Sequence, residues 1–171
     1  MHYGRITTVV GSVLAIIGLG LKSASSGGED ILPALSQQNP AFPDGFDRIF
    51  TAIWNDNLAG TLIFLIALVA VLGLSLIPDI KVALSRMNAL VITVLGVLMM
   101  VIGGIAASGA LDDADTLQAG FAQAFAGALI PEAYTVSISV GWYLLALSGV
   151  LAAIGGVLQL IVRPDEDALT A

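Results

Sequence analysis

Three aspartates within four residues, Asp112, Asp113 and Asp115, form the densest group of side chains in this sequence that could do chemistry. Carboxylate oxygens are the hard ligands a divalent cation takes, and two converging carboxyls, such as Asp112 and Glu132, are the least that acid–base work requires. The cluster has a structural alternative. Aspartates ahead of an apolar-faced helix cap its free N–H groups and match its dipole, and no calcium-loop spacing is visible. Cysteine is absent and His2 is the single histidine. Disulfides, thiolate nucleophiles, thiol redox relays and a haem held by paired histidines are thereby excluded, and a zinc site would have to be mostly carboxylate. No serine stands in a nucleophile elbow. The glycine pairs beginning at Gly103 and Gly155 fall inside apolar runs, and no strand is predicted before them, so neither forms a phosphate loop. The sequence assigns no catalytic residue, metal ligand or cofactor and reads as that of a non-enzyme.

The elements that would position these groups are set by the solvent. Only 11% of the 171 residues are charged, against about a quarter in a soluble chain, and the mean hydropathy is +0.96. The apolar residues collect in four runs separated by segments that hold nearly every charge, the pattern of membrane-spanning helices joined by wet loops. The fold class expected is all-α: an integral membrane four-helix bundle, with two short amphipathic helices in the outer loops. It forms one domain over residues 1–171, with spans at about 6–22, 58–77, 87–107 and 136–162. Outer loops follow at 23–57 and 108–135, an inner loop at 78–86 and a tail at 163–171. The first run resembles a signal peptide and is read as an uncleaved span, its ends fixed by Tyr3 and Lys22.

Lys and Arg placement gives the orientation. Arg5, Lys81, Arg86 and Arg163 fall on one side and Lys22 and Arg48 on the other, which puts both termini in the cytoplasm and the protein in the plasma (inner) membrane. The outer face then carries Glu29, Asp30, Asp44, Asp47, Asp56, Asp112, Asp113, Asp115 and Glu132. A net charge of −7 argues against nucleic acid and anionic headgroups and favours a basic protein or other cationic partner at that face.

Both outer loops carry helical periodicity. Phe46, Ile49, Phe50, Ile53 and Trp54 recur at the spacing of one helix face, behind Asp44 as cap and Asp47 near the dipole. Leu117, Phe121, Ala124, Phe125 and Ala128 do the same behind Asp112 or Asp113 and before Pro131. Both helices are expected to lie along the outer interface. Trp142 and Tyr143 are placed to join an aromatic belt, while residues 23–43 read as an irregular connection. The acidic tail from Pro164 reads as solvated or as a contact for a cytoplasmic partner.

Within the hydrocarbon portions no ionisable residue is read, and the polar ones noted are Thr61, Ser75, Thr93, Ser148 and Gln159. Hydroxyls there can be satisfied one helical turn back, and Gln159 lies near enough to the inner end to reach water. A proton-coupled pump is disfavoured because intramembrane ionisable groups mark such paths. Small residues line the spans. Gly149 with Ala153, and Ala152 with Gly156, have the four-residue spacing that lets helix backbones approach, either inside the bundle or against another subunit. The candidate partner surfaces are therefore Phe46, Phe50, Trp54, Asp112, Asp113, Asp115, Phe121, Gly149, Ala153 and Gly156.

A short inner N-terminus, a larger first outer loop running into the second span, a brief inner loop and a moderate second outer loop together resemble the layout of claudin-type tetraspan proteins. Trp54 stands where that family's first-loop tryptophan falls, whereas the family's paired cysteines are missing and no functional residue carries over. The resemblance implies adhesion or envelope scaffolding. Elimination on the residues themselves points first to a non-catalytic accessory or structural subunit of a larger membrane complex, a bacterial respiratory or transport assembly, with other integral membrane subunits and lipids as partners. A self-associating channel or carrier is the third reading, and would require a polar stripe along a span.

Overall fold

The computed structural model describes residues 3–27, 29–40, 42–76, 84–124 and 135–161. In chain order the elements are α1 (Tyr3–Gly20), β1 (Ala24–Ser26), a 3-10 turn (Glu29–Ile31), α2 (Leu32–Gln38), α3 (Ile49–Asp56), α4 (Leu58–Leu76), α5 (Arg86–Ala124), β2 (Val136–Ile138) and α6 (Val140–Ile161). Four of the helices, α1, α4, α5 and α6, are long and apolar enough to cross a membrane. His2, most of the inner loop from Pro78, the Phe125–Pro131 stretch, Glu132 and the acidic tail from Pro164 lie outside the described residues.

The four long helices run alternately up and down. Helix α6 packs closely against α1 on one side and α5 on the other, and α4 closes the ring against α5 and α1 more loosely. The shared core is apolar: Ala15 and Leu19 of α1, Phe64, Leu68 and Val71 of α4, Ile92 and Met99 of α5, and Trp142, Leu145 and Ala152 of α6.

Glycine spacing explains the two tight seams. Gly4, Gly11 and Gly18 recur every seven residues along α1, and Gly141, Ser148 and Gly155 recur every seven along α6. Running antiparallel, the two sets meet layer by layer: a methyl at Gly11 would lie 2.8 Å from the Ser148 carbonyl oxygen, and one at Gly18 2.8 Å from that of Gly141. A seven-residue repeat holds one face of a helix against its neighbour over several turns, and small residues there bring backbone to backbone. On the other flank of α6, a methyl at Gly149 would sit 2.6 Å from Met100 Cα, and one at Gly156 2.7 Å from Thr93 N. The two faces of α6 are thus both committed to contacts within the chain.

Helix α5 departs from expectation. At 39 residues it rises about 58 Å at 1.5 Å per residue, nearly twice the roughly 30 Å of a hydrocarbon core. The third long helix does not stop near Ala107; it continues unbroken through Asp112, Asp113 and Asp115 to Ala124. No second, separate amphipathic helix exists among the described residues, and the three aspartates are mid-helix residues rather than caps. Hydropathy falls after Ala107, but residues 108–124 hold five alanines together with Leu111, Leu117, Gln118 and Gln123 and no proline, enough to carry the helix past Gly109, Gly120 and the aspartates.

The connection between α1 and α4 is also more ordered than expected. Helix α3 forms, but it begins at Ile49 behind Arg48 with no side-chain cap, so Asp44 does not cap it and Phe46 precedes it. Strands β1 and β2 pair antiparallel, Ala24 with Ile138 and Ser26 with Val136, which ties the α1–α4 connection to the α5–α6 connection where no strand was expected. Ser25 and Ser137 hydroxyls meet across this pair at 3.2 Å, and Val136 N–H donates to Gln118 Oε1 at 2.9 Å, fixing β2 to the extension of α5.

Candidate functional site

At the sheet-bearing end of the bundle, the corner between α3 and α4 stands off from α5 and leaves a groove of about 670 Å³. Its depth follows α5, whose lining residues run from Ile102 and Gly103 through Ile105, Ala106, Gly109 and Ala110 to Asp112, Asp113, Ala114 and Leu117. The fifteen helical rises from Ile102 to Leu117 make that wall about 22 Å long. Phe64, Trp142 and Leu145 close the apolar bottom; Asp47, Asp56, Asp112 and Asp113 stand at the mouth.

Local chemistry builds each wall. The Trp142 indole N–H donates to the Ser23 carbonyl at 2.7 Å, and the side chain is 4% exposed. Ser23 in turn donates its N–H to the Asp47 carbonyl at 2.7 Å, and its own carbonyl also accepts from Ser139 N–H at 3.1 Å. One residue therefore joins the entry to β1, the approach to α3 and the start of α6. Trp142 is a buried floor residue and so is not available to an aromatic belt, whereas its neighbour Tyr143 is exposed. The opposite wall is held at the α3–α4 corner. Asn57 Oδ1 accepts from Gly60 N–H at 2.9 Å, capping α4. The Thr61 hydroxyl reaches the carbonyls of both Ile53 and Asn57 at 2.8 Å.

Among the described residues the ion pair present is Lys22 with Glu29, and neither belongs to the groove. Asp47, Asp56, Asp112 and Asp113 thus gather at one mouth with no Lys or Arg in ion-pairing range among the described residues. No group of three or more metal-ligating side chains close enough to hold an ion occurs among them either.

The residues singled out in the sequence scatter over several surroundings. Phe46, Asp112 and Asp113 line the groove, whereas Asp115 is exposed beyond it. Phe50 and Trp54 meet at a tilt of 37° with centroids 5.6 Å apart, each 40% exposed, while Ile49 is buried and Ile53 lines the groove. Phe121 is unavailable as a docking residue: it is 2% exposed and stacks on Phe42 at 5.2 Å. Gly149 and Gly156 are buried against Met100 and Thr93, and Ala153 lies over Gly96, so this small-residue face serves internal packing.

The polar residues of the long helices turn inward. Thr8 and Ser12, not singled out from sequence, are buried and donate to the Gly4 and Thr8 carbonyls at 2.8 and 3.1 Å. Ser148 does the same to Leu145 at 2.6 Å. Gln159 does not reach outward; it is buried, with its amide N–H on the Gly155 carbonyl at 3.1 Å. Arg5, in the first turn of α1, is only 1% exposed, about 10 Å along the axis from the middle of that helix. The bundle's titratable side chain thus lies at one end, and its middle layers are apolar or hydroxylic.

No protein-family model, curated protein or solved structure matches the chain.

Proposed function

We propose that this chain is a multi-pass protein of the plasma (inner) membrane, both termini cytoplasmic, acting as a non-catalytic accessory subunit beside other membrane-spanning chains of a respiratory or transport assembly. The observation that carries the reading is the pair of glycine seams. A helix whose glycines meet the backbones of two neighbours has no side-chain layer to repack. Alternating access needs one set of helices to rock against another, and α6 is locked on both flanks. What the molecule offers is a fixed platform: α4, least held by its own chain, turns Leu62, Ile63, Ile66 and Val69 outward, and the distal cap sits on a helix that stands well clear of a bilayer's thickness.

Native mass spectrometry after mild extraction from the membranes of the host tests this. The expected result is a discrete assembly containing this chain and at least one other membrane protein. A lone monomer under conditions that keep known complexes intact would contradict it.

A further inference from the structure

We propose that the distal groove binds an amphiphilic organic cation, its apolar body against Phe64, Ile102, Leu145 and Trp142 and its charged head among Asp56, Asp112 and Asp113. This goes beyond the accessory role and does not depend on it. The volume of about 670 Å³ falls within the roughly 300–1,000 Å³ of small-molecule sites, which pair apolar walls with a few placed polar groups. The charge is as informative as the volume. Asp47 comes from the segment before α3, Asp56 from its end, and Asp112 and Asp113 from α5. Three separate pieces of chain bring carboxylates to one mouth, and among the described residues no cation pairs with them. A mouth of one sign over low-dielectric walls concentrates the opposite charge.

Competing occupants fit less well. A phospholipid would bring its phosphate up against the carboxylates. A basic protein segment entering in extended form would satisfy the rim but would set unpaired backbone N–H and C=O groups against Phe64, Ile102 and Leu145, and a helix, which pairs its own backbone, is about 10–12 Å across and along the length of the groove needs more than its roughly 670 Å³. A single-headed cation with a hydrocarbon or aromatic body meets both demands.

The chain contains two tryptophans, and Trp54 lies outside the groove, so Trp54→Phe leaves Trp142 as a reporter in the groove wall. The full chain in phosphatidylcholine nanodiscs is titrated with trimethylammonium-diphenylhexatriene, a rod with a cationic head, and with neutral diphenylhexatriene. Energy transfer from Trp142 is read. The cation is expected to quench saturably and at least about tenfold more tightly than the neutral rod, and Asp56→Asn with Asp112→Asn should weaken it about tenfold, the effect of two partly screened charge pairs. Gly109→Leu points a side chain into open space in the groove and should abolish the saturable phase with the fold intact by thermal melt. Asp115→Asn, outside the groove, should change nothing. Quenching that rises linearly and equally for both rods overturns the proposal, as does saturable quenching that survives Gly109→Leu. Displacement of the cationic rod by an arginine-rich peptide at lower concentration than by unlabelled alkylammonium would replace it with a protein ligand.

Discussion

Replacing Gly149 by alanine adds one methyl group at the seam between α5 and α6. That methyl would lie 2.6 Å from Met100 Cα and 2.8 Å from the Gly96 carbonyl oxygen. Ordinary contact starts at 3.4 Å, so the helices must separate locally by at least about 0.8 Å. Both obstacles are backbone atoms, so no side-chain rotation relieves them. The displacement also loosens the flanking layers, where Gly96 meets Ala152 and Ala153 and Gly156 meets Thr93. Overpacking of this kind costs about 1–3 kcal/mol, while alanine in place of glycine within a helix returns about 0.8–1 kcal/mol, leaving a net loss of about 0–2 kcal/mol. Gly104→Ala is the matched control. It sits one residue past the seam position Gly103 with nothing within 4 Å of the added carbon, so it keeps the propensity gain alone. Denaturant titration in detergent, followed by tryptophan emission, should place Gly149→Ala below Gly104→Ala by the overpacking cost, about 1–3 kcal/mol. Equal shifts of the same sign would refute the seam as the source of helix association.

Three further outcomes follow from the same geometry. Trp142→Phe removes the indole donor to the Ser23 carbonyl and should lower stability by about 1 kcal/mol, seen as an earlier thermal unfolding midpoint; an unchanged midpoint would mean that this bond does not hold the distal cap. Because the chain has no cysteine, single cysteines report topology cleanly: Ser137→Cys should react with a membrane-impermeant maleimide added to intact cells and Ser85→Cys only after lysis, and the reverse pattern would invert the proposed orientation. Thr61→Val deletes the hydroxyl that reaches Ile53 and Asn57, and should speed amide exchange over α3 while leaving α6 protected; exchange that rises equally in both would show that the α3–α4 corner is not an independent unit.

Much of the helical framework was legible because its signals are physical necessities. Four runs near 20 apolar residues have no other solvent, and all four appear as helices within a few residues of the expected bounds except at the far end of α5. That exception is instructive. Falling hydropathy after Ala107 marks where a hydrocarbon environment would end, not where the helix ends, and with no proline ahead of Asp112 the chain had no reason to stop turning. The helix α3 was readable from the spacing of Ile49, Phe50, Ile53 and Trp54, but which of those rings face solvent was not, since periodicity gives a face and not its surroundings. Strands β1 and β2 are three residues each and built from Ala, Ser, Val and Ile; they exist through backbone pairing of residues such as Ser25 and Ser137, 112 apart in sequence, which no local pattern encodes.

The groove itself was invisible in the sequence. It depends on α4 standing off from α5, and on Trp142 turning its N–H to Ser23 instead of joining an interfacial belt. The density of Asp112 and Asp113 is plain in the sequence, whereas Asp47 reads as a dipole partner of the first-loop helix and Asp56 as an outer-face charge; convergence of the four needs the fold. The seam had a signal that could have been used. Glycines at 4, 11 and 18 against small residues at 141, 148 and 155 form a seven-residue repeat in two antiparallel spans, and four-residue spacing alone, applied to Gly149 and Ala153, located only half of it. Arg5 counted simply as a flanking positive charge, because nothing in its neighbours reveals that the first turn of α1 is buried.

In-cell photo-crosslinking from the outward face of α4 bears most directly on whether this chain works as a partner-bound subunit. A photoreactive amino acid placed at Ile66 or Val69, both about 70% exposed in the isolated chain, would report what covers that surface in its own membrane. Discrete adducts to one membrane protein, absent when the probe is moved to buried Val71, are the result expected. Adducts to lipid alone at both positions would contradict the subunit reading.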